Sequence, residues 1–154
     1  MEKKIFTFIL LIFLSSCGYE AIYSAKNIKN YTFSISKLSF IGDREINLKI
    51  KQKLNNYTKE IKDINFILKI TSTSEKIILA KDAAGDSTNF KIETIVNIDV
   101  FNEEKLKSNF IITESFNYDN NSNKFELKNY EKEIKRNLAD IITEKLIFKL
   151  ANIK

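Results

Sequence analysis

The chain has no histidine, no proline and no tryptophan, a single cysteine, a single methionine at position 1, and three glycines in 154 residues. Without histidine and with one thiol, no Ser/His/Asp or Cys/His relay can be assembled, and no zinc site of the Cys and His type. Gly18, Gly42 and Gly85 are too far apart for a Gly-x-Gly-x-x-Gly turn or a phosphate-cradling loop, so nucleotide binding through those motifs is excluded too. Disulfides are impossible within the chain. The net charge is +5, but only Arg44 and Arg136 are arginine, and Lys, Ile and Asn make up 65 of the residues. That bias reflects an A/T-rich genome, which also depletes His, Pro and Trp, so the basic balance is read as compositional and not as a nucleic-acid signal.

Acidic residues are numerous enough for a glycosidase-type carboxylate pair. However, Glu93 and Asp99 alternate on the outward side of a strand pattern, and Glu131 and Glu133 sit near a helix start, where solvated surface is expected. Ser and Thr lack a base to activate them, and nothing in the sequence desolvates a lysine. No catalytic residue and no metal ligand is assigned, and the expectation is a protein that is not an enzyme.

What is present begins at the N-terminus. Lys3 and Lys4 precede a ten-residue apolar run, Ile5 to Leu14, broken only by Thr7. A spanning helix needs about twenty apolar residues, so this length suits the core of a signal peptide. The run ends in Leu14-Ser15-Ser16-Cys17, which resembles the lipobox of bacterial lipoproteins. The resemblance implies removal of residues 1–16 and attachment of diacylglycerol and an N-acyl chain to Cys17, with no other cofactor. Two or more acyl chains make a stable tether, whereas one is marginal. Residue 18 is Gly, not the Asp that resembles an inner-membrane retention signal, so the outer membrane is the expected destination.

The rest reads as a lipidated segment over 17–30 and a single domain over 31–154. Tyr31 to Phe40 alternates, then changes phase, predicting a strand with a bulge near Ser36 or Lys37. After Gly42 and Asp43, apolar residues at 46, 50, 54 and 57 predict a helix capped by Asp43 and reaching about Tyr57. Ile64, Phe66, Leu68 and Ile70 predict a strand continuing to Leu79, followed by a turn over Lys81 to Ser87. Phe90 to Val100 alternates cleanly, Asn102-Glu103-Glu104 fits a hairpin loop, and Leu106 to Tyr118 returns antiparallel. After a loop from Asp119 to Lys124, a final helix capped by Asn129 is expected to run to about Leu150, with Tyr130, Ile134, Leu138, Ile141, Ile142 and Phe148 on its apolar face. The order β-α-β-β-β-α predicts an α+β two-layer sandwich, a four-stranded mixed or antiparallel sheet with two helices on one face.

Two further stretches carry a family likeness. Cys17-Gly18-Tyr19-Glu20-Ala21-Ile22-Tyr23 resembles the Cys-Gly-aromatic-x-Pro-Leu-Tyr opening of the outer-membrane lipopolysaccharide (LPS) assembly lipoproteins, the LptE family, with Ala21 in place of Pro. Tyr130-Glu131-Lys132-Glu133-Ile134-Lys135-Arg136-Asn137-Leu138-Ala139 is similar to the Tyr-Glu-x-Glu-x-x-Arg-x-Leu-Ala run of alphaproteobacterial members, and Ile142, Lys145 and Leu146 continue it. Asn89 stands where such relatives often have a basic residue. The resemblance implies a plug in a large outer-membrane β-barrel, held on the periplasmic side and in the lumen, that supports barrel assembly and LPS delivery to the outer leaflet. Its implied partners are the barrel, LPS and the inner leaflet of the outer membrane. LPS is polyanionic, and Lys76, Lys81 and Lys91, which flank the turn between the second and third strands, are the candidates for its phosphates. The alternative is a lipoprotein that assists an ABC-type phospholipid transporter.

Overall fold

A computed structural model describes residues 33–153. The lipobox, Cys17 and the segment 17–30 lie outside the described residues. Four strands and two α-helices follow one another: β1 (Phe33–Gly42), α1 (Arg44–Leu54), β2 (Ile64–Lys81), β3 (Ser87–Asn102), β4 (Lys105–Asp119) and α2 (Lys124–Ala151), with a 3-10 turn, Asn55–Tyr57, continuing α1. The strands form one sheet in the order β1-β2-β3-β4. The β1–β2 pair is parallel, because α1 carries the chain across between them, and the two later pairs are antiparallel hairpins. The sheet is therefore mixed, with both helices on one face.

Local chemistry explains the boundaries. In β1 the register slips between Ile35 and Lys37, the extra residue absorbing the change of hydrophobic phase. Gly42 has φ +101°, and a Cβ there would stand 1.8 Å from the Ser72 carbonyl oxygen, so the strand-to-helix turn admits only glycine. Asp43 then caps α1, one carboxylate oxygen accepting from Glu45 N at 2.9 Å and Ile46 N at 3.2 Å. The chain reverses between β3 and β4 through Glu103 and Glu104, both at positive φ (49° and 68°), the left-handed pair a two-residue hairpin needs.

Even-numbered residues of β2 and β3 face the helices. Phe66, Leu68, Ile70, Val96, Ile98 and Val100 pack with Phe33, Ile35, Ile46, Ile50, Leu54, Ile142 and Leu146 in the main core. Toward the β2–β3 turn, a second cluster of Phe90, Ile92, Tyr118, Leu127, Ile134 and Leu138 closes the long end of the sheet under the first turns of α2.

The final helix differs from the sequence expectation at its start. It begins at Lys124, not after Asn129, and its cap is Asn123, whose side chain accepts from Phe125 N at 3.1 Å and Glu126 N at 3.3 Å. Its buried stripe is Leu127, Ile134, Leu138, Ile142, Leu146 and Leu150, while Tyr130, Ile141 and Phe148 are exposed. Tyr130 packs edge-on against Tyr118, and Phe148 shares a shallow notch with Lys107 and Phe110, so both lie on the flank beside β4 instead of beneath the sheet.

Candidate functional site

The strand alternation decides where the three candidate lysines point. Lys76 is opposite Ile92 and its neighbour Ile77 is opposite Lys91, so Lys76 and Lys91 emerge on opposite faces of the sheet. Lys81 pairs with Ser87 at the end of both strands. The fold thus brings all three to one end of the sheet without converging them on one point.

Lys76 points toward α2. Its ammonium is 2.6 Å from Glu131 Oε1 and 3.8 Å above the centroid of the Phe90 ring. The same Glu131 oxygen accepts a hydrogen bond from the Tyr118 hydroxyl at 2.8 Å. Burial pushes the Glu131 carboxyl up, but hydrogen bonds from Lys76 and Tyr118, with the Lys76 charge, outweigh it and hold the group below its ordinary value. Burial, and then the bond to ionised Glu131, push the Tyr118 phenol well up. Lys76 is therefore committed to closing the second apolar cluster, as an ion pair and a cation over an aromatic face.

Lys91 lies on the helix-free face, 2.7 Å from Glu93 two residues along its own strand. Lys81 is exposed and has no ion pair among the described residues. It leads into a turn organised by Asp82, whose carboxylate accepts from Ala84 N and Asp86 N, both at 2.9 Å, with Gly85 at φ +90°. Asp82 and Asp86 bring two carboxylates beside Lys81, so an approaching anion meets a mixed tip. Asn89 donates to Asp119 at 2.8 Å, which ties β3 to the end of β4.

Sequence reasoning missed Glu131, read there as a solvated helix-start residue. Its partners are 55 and 13 residues away in sequence, so no local spacing signals the contact. It also missed the flank formed by β4 and α2. The available signal was the misfit of Ile141 and Phe148 with the four-residue spacing of Leu138, Ile142, Leu146 and Leu150. Among the described residues, no helix is long and apolar enough to cross a membrane.

No protein-family model matches the sequence, and no curated protein matches it. Solved structures do resemble it. Rare lipoprotein B from Shewanella oneidensis superposes with a TM-score of 0.56 at 18% identity, covering 75% of this chain and 97% of that one. A minor lipoprotein from Acinetobacter baumannii gives 0.56 at 13%, covering 75% and 90%. Uncharacterized lipoprotein B from Nitrosomonas europaea gives 0.53 at 11%, covering 83% and 90%. At these identities the likeness is one of fold: the sheet and two helices described above are an architecture that this chain shares with bacterial lipoproteins.

Proposed function

We propose that the chain is an outer-membrane lipoprotein of the LPS-assembly kind, anchored through Cys17, that catalyses no reaction and acts as the plug component of an LPS-transport barrel. The observation that carries this reading is the coincidence of two independent features. A lipobox ends an export-type apolar run, and the domain behind it has the β-α-β-β-β-α fold of solved bacterial lipoproteins. The LptE-like runs at Cys17–Tyr23 and Tyr130–Ala139 narrow the role to LPS assembly by resemblance.

In this reading the compact sheet is a scaffold whose hairpin ends meet the barrel lumen while the acyl chains hold it to the inner leaflet. Contact with LPS phosphates starts at Lys81, because Lys76 and Lys91 already face carboxylates. The test is an affinity pull-down of the full acylated chain from detergent-solubilised outer membranes, with co-purifying proteins identified by mass spectrometry. Recovery of a large LPS-assembly barrel in near-equal amount is the expected result. Recovery of phospholipid-transporter subunits, or of no barrel, overturns it.

A further inference from the structure

The two ends of the domain differ in chemistry. β1 and β2 run parallel from Phe33 and Ile64, β3 and β4 join at that same end through the turn between Asn102 and Lys105, and α2 finishes there beside Phe110. The turn between Lys81 and Ser87 lies at the opposite end. Because β1 opens the described domain, the segment that follows Cys17 joins the fold at the Phe33 end. Phe33 is sixteen residues past Cys17, and a chain of that length reaches at most about 55 Å. An acyl anchor on Cys17 therefore keeps this end near the leaflet, where even a weak surface contact is populated.

One flank of this end combines cations with an exposed aromatic ring. A notch of about 610 Å³ opens between β4 and the last turn of α2, and its walls include Lys107, Ser108, Phe110, Phe148, Lys149 and Ile153 but no carboxylate. Lys107 is the unpaired residue of the slip between the Val100–Ser108 and Phe101–Leu106 pairs, so a bulge takes it out of the alternation of β4. Lys149 rests 5.0 Å from the centroid of the Phe110 ring. Carboxylates hold Lys76 and Lys91, whereas neither Lys107 nor Lys149 has an ion pair among the described residues. Phe148 stands between them, 69% exposed. The exposed acids of this end are elsewhere, Glu103 and Glu104 at the β3–β4 turn and Glu60 and Asp63 in the loop before β2.

We propose that this notch is the face on which the domain rests against a leaflet of anionic phospholipid, with Lys107 and Lys149 at lipid phosphates and Phe148 in the boundary between headgroups and acyl chains. Charge and reach select this occupant. A leaflet is negative at its surface and apolar just beneath, which matches two ammonium groups without carboxylates around a projecting ring. The lysine stems can lie along Phe110 and Phe148 while their charges reach the phosphates. The proposal rests on the anchor at Cys17 and not on the barrel, and it leaves the end that bears Lys81 turned away from the leaflet.

The experiment uses the full acylated chain with an environment-sensitive fluorophore on one introduced thiol, A151C beside the notch or A84C in the β2–β3 turn, both exposed positions. Each is reconstituted in vesicles of phosphatidylethanolamine and phosphatidylglycerol that contain spin-labelled lipid. The label at 151 should be blue-shifted and quenched several-fold more than the label at 84. F148S should remove most of the blue shift. K107E with K149E should lower the ratio of docked to undocked domain about tenfold, whereas K107R with K149R should keep it. Equal signals from the two positions, indifference to charge reversal, or the same docking on phosphatidylcholine vesicles overturns the proposal. The acyl mass on Cys17 is read from the same samples. An acylated chain that floats with the vesicles while its notch label stays aqueous overturns the docking alone, and a chain without the acyl mass overturns the anchor and this proposal with it.

Discussion

Lys76 and Lys81 are five residues apart on one strand, yet their substitution has opposite consequences. Lys76 holds a half-buried carboxylate and covers an aromatic ring, so Lys76→Ala leaves Glu131 with one hydrogen bond fewer and exposes Phe90. A loss of about 1–2 kcal/mol in urea unfolding is expected. Lys81→Ala touches nothing in the fold and should change stability by less than about 0.5 kcal/mol. If Lys81 meets LPS phosphates, the same variant weakens binding of the acylated protein to LPS-containing vesicles while its unfolding midpoint stays put. The sequence grouped these residues because alternation places them near one turn. It did not separate them, since the carboxylate that claims Lys76 lies on another element.

The strands were legible because each buries one face. Phe90 to Val100 alternates without a break, and even the β1 bulge shows as a shift of phase. The start of α2 was not legible, because its first turns bury only Leu127 and expose Phe125, so the apolar period appears only near Ile134. A cap signature was present as Asn123-x-x-Glu126, hidden among the asparagines of the preceding loop. Asn123→Ala should therefore lower stability by about 1 kcal/mol, whereas Asn129→Ala, exposed inside the helix, should have almost no effect in the same melts. The β3–β4 turn gives the converse case. Glu103 and Glu104 occupy left-handed conformations that Asn and Gly adopt more readily, so the Glu103→Asn, Glu104→Gly variant should gain about 1 kcal/mol.

Across the whole molecule, α1 and α2 are linked through charge. Lys135 reaches the α1 cap at 2.7 Å from Asp43, and Lys49 and Lys53 face Asp140. Burial raises the Asp43 carboxyl, but the bond from Lys135, the backbone donors and the Lys135 charge hold it below its ordinary 3.8, as Glu131 is held below 4.5. Depressed carboxylates add stability that is present above their unfolded values and lost as pH falls through the folded ones. The urea midpoint should accordingly fall between about pH 5 and pH 3, and the fall should be shallower in Glu131→Gln. The division of the interior into two clusters has a dynamic counterpart. β2 is about 60 Å long, and its far end rests on the smaller cluster and one ion pair, while the near end shares the main core. Amide exchange in the native protein should then fall into two classes, with the amides around Lys76, Phe90 and Tyr118 opening at lower free energy than those around Leu68 and Ile98, so that the end bearing the β2–β3 turn can loosen while the rest of the sheet stays closed.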